Sequence, residues 1–183
     1  MSDDTSPQRK ASLWWRQIQP DGGKPDNAGL AQLRRVATPQ EALLHPCAVE
    51  LAIRLKRHSF EDRTTACSLA AVLAHVRQDS KERAIAAKLG QTNGDNRLMS
   101  EVRFRTLMQS ASGAERMTAF RRAIALLGQN VNVEQLAYAW LFWDSGDRGQ
   151  RLRADWMFDY VGATRHLTTA SETDPTSSEN PYP

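Results

Sequence analysis

The chain has 183 residues, 40% hydrophobic and 25% charged, which is enough apolar material for a packed core and too mixed for a fibrous or disordered chain. Its net charge of +3 is uneven: the segment after His166 carries Glu172, Asp174 and Glu179 and no Lys or Arg, so the remainder holds 24 basic against 18 acidic residues, or +6. Two cysteines, Cys47 and Cys67, exclude a disulfide framework, and no window is apolar over the length that crosses a bilayer. With a polar first segment, MSDDTSPQRK, these features predict a soluble, cytoplasmic protein with no membrane partner.

Residues 1–7 are expected to be disordered, and Gln8–Gln19 reads as a helix anchored by Leu13, Trp14 and Ile18. Two Pro and three Gly make Pro20–Gly29 a loop. Leu30, Leu33 and Val36 then space a short helix whose other side shows Arg34 and Arg35. Thr38-Pro39-Gln40-Glu41 is a helix start: Thr38 caps, Pro39 suits the first helical position and Glu41 closes a capping box. Pro46 begins or kinks a helix over Cys47–Arg57, and Asp62 or Arg63 begins an Ala-rich helix through Arg77. Ser80 is expected to cap Lys81–Leu89, which Gly90 ends.

The loop 90–97 divides an N-terminal helical half, 8–89, from a C-terminal half, 98–166. In that second half Ser100–Ala111 puts Phe104, Leu107, Met108 and Ala111 on one face. A capping box, Ser112-Gly113-Ala114-Glu115, opens a helix that buries Met117, Phe120, Ile124 and Leu127 and stops at Gly128. Arg97, Arg103, Arg105, Arg116, Arg121 and Arg122 all lie in this pair, which predicts guanidinium groups along the rims of two packed helices. Asn132 with Gln135 opens Val133–Trp143, whose all-round hydrophobicity marks a central helix. Asp147 with Gln150 caps Arg148–Val161, with Leu152, Trp156 and Tyr160 inward. Residues 167–183 are expected to form a disordered acidic tail. The sum is an all-α compact bundle of roughly eight or nine helices in two halves, with no sheet.

Chemistry-bearing constellations are missing. His45, Cys47, Cys67 and His75 match no common zinc spacing, Gly90 and Gly94 lack the end of a phosphate-binding P-loop, and no nucleophile elbow or H-E-x-x-H occurs. The sequence therefore predicts no catalysis, no metal and no cofactor. Nineteen of the 24 basic residues are Arg, whose planar fork suits phosphate. Of the five tryptophans, Trp140 and Trp156 sit on apolar faces and belong in the core, while Trp15 and Trp143 leave base stacking open.

Ala31-Gln32-Leu33-Arg34-Arg35-Val36 resembles the A-x-L/I-R-R element of the CasB family, the small subunit of the type I-E CRISPR interference complex, Cascade. Lys88-Leu89-Gly90, Arg97 and Ser100–Met108 (SEVRFRTLM) are similar to that family's L-G … S/N-E-x-R-F/I-x-x-L segment. Arg121-Arg122 before an apolar run, and Tyr138–Trp143 followed by Arg148, fall in the family's order, so the resemblance spans most of Leu30–Val161. It implies a non-enzymatic antiviral subunit, two copies of which lie head to tail beside the crRNA-bearing backbone subunits and against the large subunit. Its implied ligands are the crRNA–DNA hybrid and the displaced single strand, held by Arg34, Arg35, Arg97, Arg103, Arg105, Arg121, Arg122 and Arg148. Around Arg148 this chain departs from the family, with Asp144 and Asp147 where the family is strongly basic. A stand-alone helical DNA-binding regulator and a helical protein-interaction scaffold remain open beside this reading.

Overall fold

The first turn of α1, Pro7–Ile18, begins on a proline, which loses nothing there because the first helical N–H has no intrahelical partner. Its buried positions, Ala11, Trp14, Trp15 and Ile18, recur at helical spacing and lie against α9. The computed structural model describes residues 6–169 except Arg83, Gly94, Asp95 and Ser112. Most of the expected disorder, over 1–7 and 167–183, therefore lies outside the described residues, as does the Ser112 cap; within them Pro7 and residues 167–169 are helical.

Local caps set the next starts. Asp26 opens α2, Asn27–Arg35, by accepting the Gly29 N–H at 2.8 Å. Thr38 opens the single turn α3, Pro39–Ala42, by accepting from the Glu41 N–H, while Glu41 reaches back to the Ala37 N–H at 2.7 Å. Next comes α4, Pro46–Arg54. Ser59 then caps α5, Phe60–Leu73, through the Asp62 N–H, slightly before the expected start.

The helix α5 is the middle of the molecule. Every residue from Ala66 to Ala74 is buried, and α2, α3, α4, α8 and α9 all contact it. The sequence reading gave the central place to Val133–Trp143, but Glu134, Gln135 and Tyr138 there are only half-buried. Small side chains explain the difference: Ala, Ser and Cys carry little hydropathy yet let five helices approach one axis.

After α5 the chain departs from expectation. Gln78–Asp79 (β1) pairs in parallel with Asn130–Val131 (β4), and Asn132 Nδ2 donates to the Ser80 carbonyl at 2.8 Å. Ser80 belongs to this extended link, so the helix starts later, as α6, Ile85–Gly90. Its first free N–H, on Ile85, donates to Gln135 Oε1. The expected loop contains a minimal antiparallel pair, Thr92–Asn93 (β2) with Asn96–Arg97 (β3). These two-residue pairings are the departure from a fold with no sheet; the architecture is otherwise all-α, with ten helices among the described residues.

The remaining helices are α7, Glu101–Gln109; α8, Gly113–Leu126; α9, Val133–Phe142; and α10, Gly146–Thr169. Gly128 and Gln129 at φ +63° and +62° end the α8 segment, and Asn132 caps α9 through the Gln135 N–H. A Cβ on Gly90 would stand 2.1 Å from the Tyr160 carbonyl oxygen, so only glycine permits the close packing of α6 on α10. Because α1 packs on α9 and α6 on α10, segments from both sides of 90–97 share one hydrophobic core. Within it Phe120 meets Trp140 and Trp143 edge-on, at 5.3 and 5.2 Å between centroids.

Two outcomes follow for stability. Trp140 is 3% exposed and donates its Nε1–H to the Thr65 carbonyl, so Trp140→Ala is expected to cost about 3–5 kcal/mol. Urea unfolding would show it as a lower midpoint at unchanged slope. His75 is pushed down to about 4, first by burial and then by the Arg121 and Arg34 charges. Its unfolded form, at the ordinary value of 6.5, takes a proton first, so stability is full above pH 6.5 and declines as pH falls towards 4. His75→Gln should flatten the stability profile in that window.

Candidate nucleic-acid interface

The apolar faces of α7 and α8 turn inward, burying Phe104 and Leu107 on one and Met117, Phe120, Ala123 and Ile124 on the other. The adjacent rows then face each other across a groove of ≈ 660 Å³, with Arg103 and Thr106 on α7 and Ala119, Arg122, Ala125 and Leu126 on α8. Ala119 and Ala125 stand three residues to either side of Arg122, one turn away, and their small side chains leave its guanidinium room. Arg103 and Arg122 are exposed, and neither has a hydrogen bond or ion pair among the described residues.

One end of this groove is tied to α10. Met99 lines it and accepts a 2.7 Å hydrogen bond from the Tyr160 hydroxyl. The Tyr160 ring stacks on Phe104 at 3.9 Å, and the half-buried Arg97 guanidinium lies 4.6 Å from the centre of the same ring.

The other predicted arginines lie elsewhere. Arg105 is exposed and pairs with Glu101 one turn earlier, at 2.7 Å. Arg34 donates its Nε–H to the Ala74 carbonyl at 2.7 Å, at the C-terminal end of α5. Burial lowers its pKa, and Arg77 adds to the effect. Arg121 is half-buried with Nε and Nη2 enclosed and unbonded; burial lowers its pKa against the pull of Glu41. Both Arg34 and Arg121 act on His75 rather than on the groove. Arg35 is exposed at the end of α2. Arg148 lies over Phe142 at 3.6 Å and donates to the Tyr138 hydroxyl at 3.0 Å, on the surface shared by α9 and α10. The structure thus brings Arg103 and Arg122 together in one groove, with Arg97 beside its α10 end, and disperses the rest.

Arg116, which the sequence reading left among the rim arginines, belongs to the interior. It is 7% exposed and bidentate on Asp144, at 2.6 and 2.9 Å, and it also reaches the Ser110 carbonyl. The spacing already carried that signal, since residues 116, 120, 123 and 127 share one helical face. The pairing also explains Asp144, one of the two acids beside Arg148, as the partner of a buried cation. Thr106, Ala119 and Ala125 were missed as lining residues, because groove walls of small or neutral side chains carry no charge signal.

All five tryptophans are buried, so Trp15 and Trp143 take core places and offer no face to a base. Trp15 instead donates to the Leu73 carbonyl. Burial, with Asp26 nearby, pushes the Cys47 thiol up to about 12, and burial alone pushes Cys67 up to about 11; thiolate chemistry is disfavoured at both. Among the described residues no cluster of His, Cys, Asp and Glu could hold a metal ion, and no helix is long and apolar enough to cross a membrane.

A search of curated proteins finds no match to this chain. Its fold is similar to a chain in the crystal structure of E. coli Cascade bound to a PAM-containing dsDNA target, with a TM-score of 0.59. That likeness carries 22% sequence identity and covers 86% of this chain and 95% of the other. The family model for CRISPR-associated protein Cse2 matches residues 29–160, which takes in α2 through to the Tyr160 contact and therefore both walls of the groove. The chain belongs to the CRISPR-associated Cse2 family, the CasB small subunits of type I-E Cascade.

Proposed function

We propose that the chain is a non-catalytic small subunit of a crRNA-guided DNA surveillance complex, and that it grips nucleic-acid backbone through the α7–α8 groove. The observation that carries this reading is the pair of exposed guanidinium groups, Arg103 and Arg122, facing one groove without an acidic partner among the described residues. An unpaired guanidinium offers its planar donors to a phosphate without first breaking an internal pair. No tryptophan is free to stack on bases and no aromatic side chain lines the groove, so recognition there falls on the backbone and is indifferent to sequence. Family membership and the fold shared with a chain of DNA-bound E. coli Cascade support the context.

In that context the partners are the large subunit, the crRNA-bearing backbone subunits, a second copy of the chain placed head to tail, the crRNA–DNA hybrid and the displaced strand. Exchanging a DNA duplex for an RNA–DNA hybrid is nearly neutral in free energy, so a few phosphate contacts tip it. Holding the displaced strand slows its return to the target strand. Arg97 adds charge near the groove, while Arg35 and Arg148 add it on other faces. Arg34, Arg105 and Arg121 are assigned to contacts within the chain, on the evidence of their hydrogen bond, ion pair and burial.

Charge reversal of both groove arginines, Arg103→Glu with Arg122→Glu, should leave the circular dichroism unchanged and weaken binding to oligo(dT). At about 0.7 per single-strand phosphate, losing two contacts should lower the log–log salt slope by about 1.4. Arg105→Gln, which removes an already paired cation, should change affinity by less than about twofold. Equal retention of single-stranded DNA by the double variant and the parent, in the assembled complex, would remove the groove from the mechanism. Preference for a short palindromic duplex would point instead to the stand-alone regulator.

A further inference from the structure

The acidic segment after α10 has no place in the functional reading above, and it lies beyond the stretch matched by the family. Residues 170–183 carry Glu172, Asp174 and Glu179 with no Lys or Arg, so the charge of this stretch opposes that of the groove. The helix that precedes it touches the groove. Tyr160, nine residues before the end of α10, bonds to Met99 in the groove lining and stacks on Phe104.

The distances permit a return. From Tyr160 to Thr169 the helix advances about 14 Å at 1.5 Å per residue. The ten residues from Thr169 to Glu179 reach up to about 34 Å when extended, more than twice that advance. Asp174, five residues on with a reach of about 17 Å, and Glu179 can therefore come back to the groove in which Arg103 and Arg122 lack acidic partners among the described residues, whereas Glu172, with a reach of about 10 Å, stays at the root.

We infer that the chain's own acidic segment, Asp174–Glu179, docks in the α7–α8 groove on Arg103 and Arg122 as an internal competitor of nucleic-acid phosphate. The inference concerns regulation of the site proposed above and rests on that reading for its consequence. A tethered competitor acts at an effective concentration in the millimolar range, so weak carboxylate–guanidinium contacts suffice to occupy the groove. A long, densely charged polyanion in a guided complex displaces it, whereas a stray short strand does not. The segment thus raises the threshold for non-specific binding, and salt weakens the segment and the strand together.

Two measurements on the full-length chain test this. The first is zero-length carbodiimide coupling in Arg103→Lys and Arg122→Lys variants, read by peptide mass spectrometry without DNA. Amide links from either substituted position to Asp174 or Glu179 are expected, quenched by 0.5 M salt (about a 4 Å screening length). Coupling no more frequent than to the five native lysines overturns the proposal. Links between copies, in mixed 14N and 15N protein, overturn its intramolecular form.

The second is oligo(dT) anisotropy with Glu172→Gln, Asp174→Asn and Glu179→Gln combined. Affinity at 50 mM salt should rise about three- to tenfold over the parent, as expected for removal of a tethered competitor. The gain should vanish when Arg103→Gln and Arg122→Gln are added. A gain that persists in that background reflects net charge alone and overturns groove occupancy. Coupling without any arginine-dependent DNA binding sinks the nucleic-acid reading and leaves the docking intact; arginine-dependent binding without coupling does the reverse.

Discussion

A helix buried along its whole second half must still satisfy the carbonyls at its end, and that requirement organises this fold. The last turn of α5 is enclosed by neighbouring helices, so water cannot donate to its free carbonyl groups. Two side chains supply the donors instead. Trp15 from α1 bonds to Leu73, and Arg34 from α2 bonds to Ala74 at the negative end of the helix dipole. The next residues leave the helix as β1, where Arg77 and Gln78 donate to the Gln129 carbonyl and β1 pairs with β4. One helix terminus therefore fixes α1, α2 and the strand that leads into α9.

The same requirement sorts the arginines. A guanidinium at a buried carbonyl or against a buried histidine is part of the fold, and moving it leaves an unpaired group inside. Arg34, Arg116 and Arg121 are of this kind: Arg34 and Arg116 are anchored, and Arg121 is enclosed. Burial first, and then the Arg121, Arg34 and Arg77 charges, keep the His75 ring neutral well below the usual range. Arg103 and Arg122 differ because the rows they occupy lie one step away from the apolar faces of α7 and α8. They line the groove between the two helices, where Ala119 and Ala125 keep the space open.

This sorting marks how far the sequence could be read. Helix starts written into short local patterns, such as Thr38 with Glu41 and Asn132 with Gln135, occur where the spacing predicts them. So do the inward faces of α7, α8 and α10, which repeat large apolar residues at helical intervals, except at Ala111, which is exposed beyond the end of α7. The central role of α5 was not legible, because its credentials are small volume and uniform burial rather than high hydropathy. The β1–β4 pairing was not legible either: it joins residues about fifty positions apart through two-residue strands with no alternating pattern. At the candidate site, charge identified the arginines, but only tertiary contacts separate Arg34, bonded to a helix end, from its neighbour Arg35, which is exposed.

The proposed role calls for weak binding by each subunit. Two exposed guanidinium groups contribute little in water, where screening limits each contact to a fraction of the energy of a buried pair. Tight retention by this chain alone would capture any single strand and resist release once the target is dismissed. In an assembly the same contacts act together with those of neighbouring subunits, so modest local energies sum along a strand that is already held nearby. The structure suits that division of labour. Its helical body fixes the groove, through the stacking of Tyr160 on Phe104 and the close approach of α6 to α10, while Arg103 and Arg122 stay exposed, as following an irregular backbone would require.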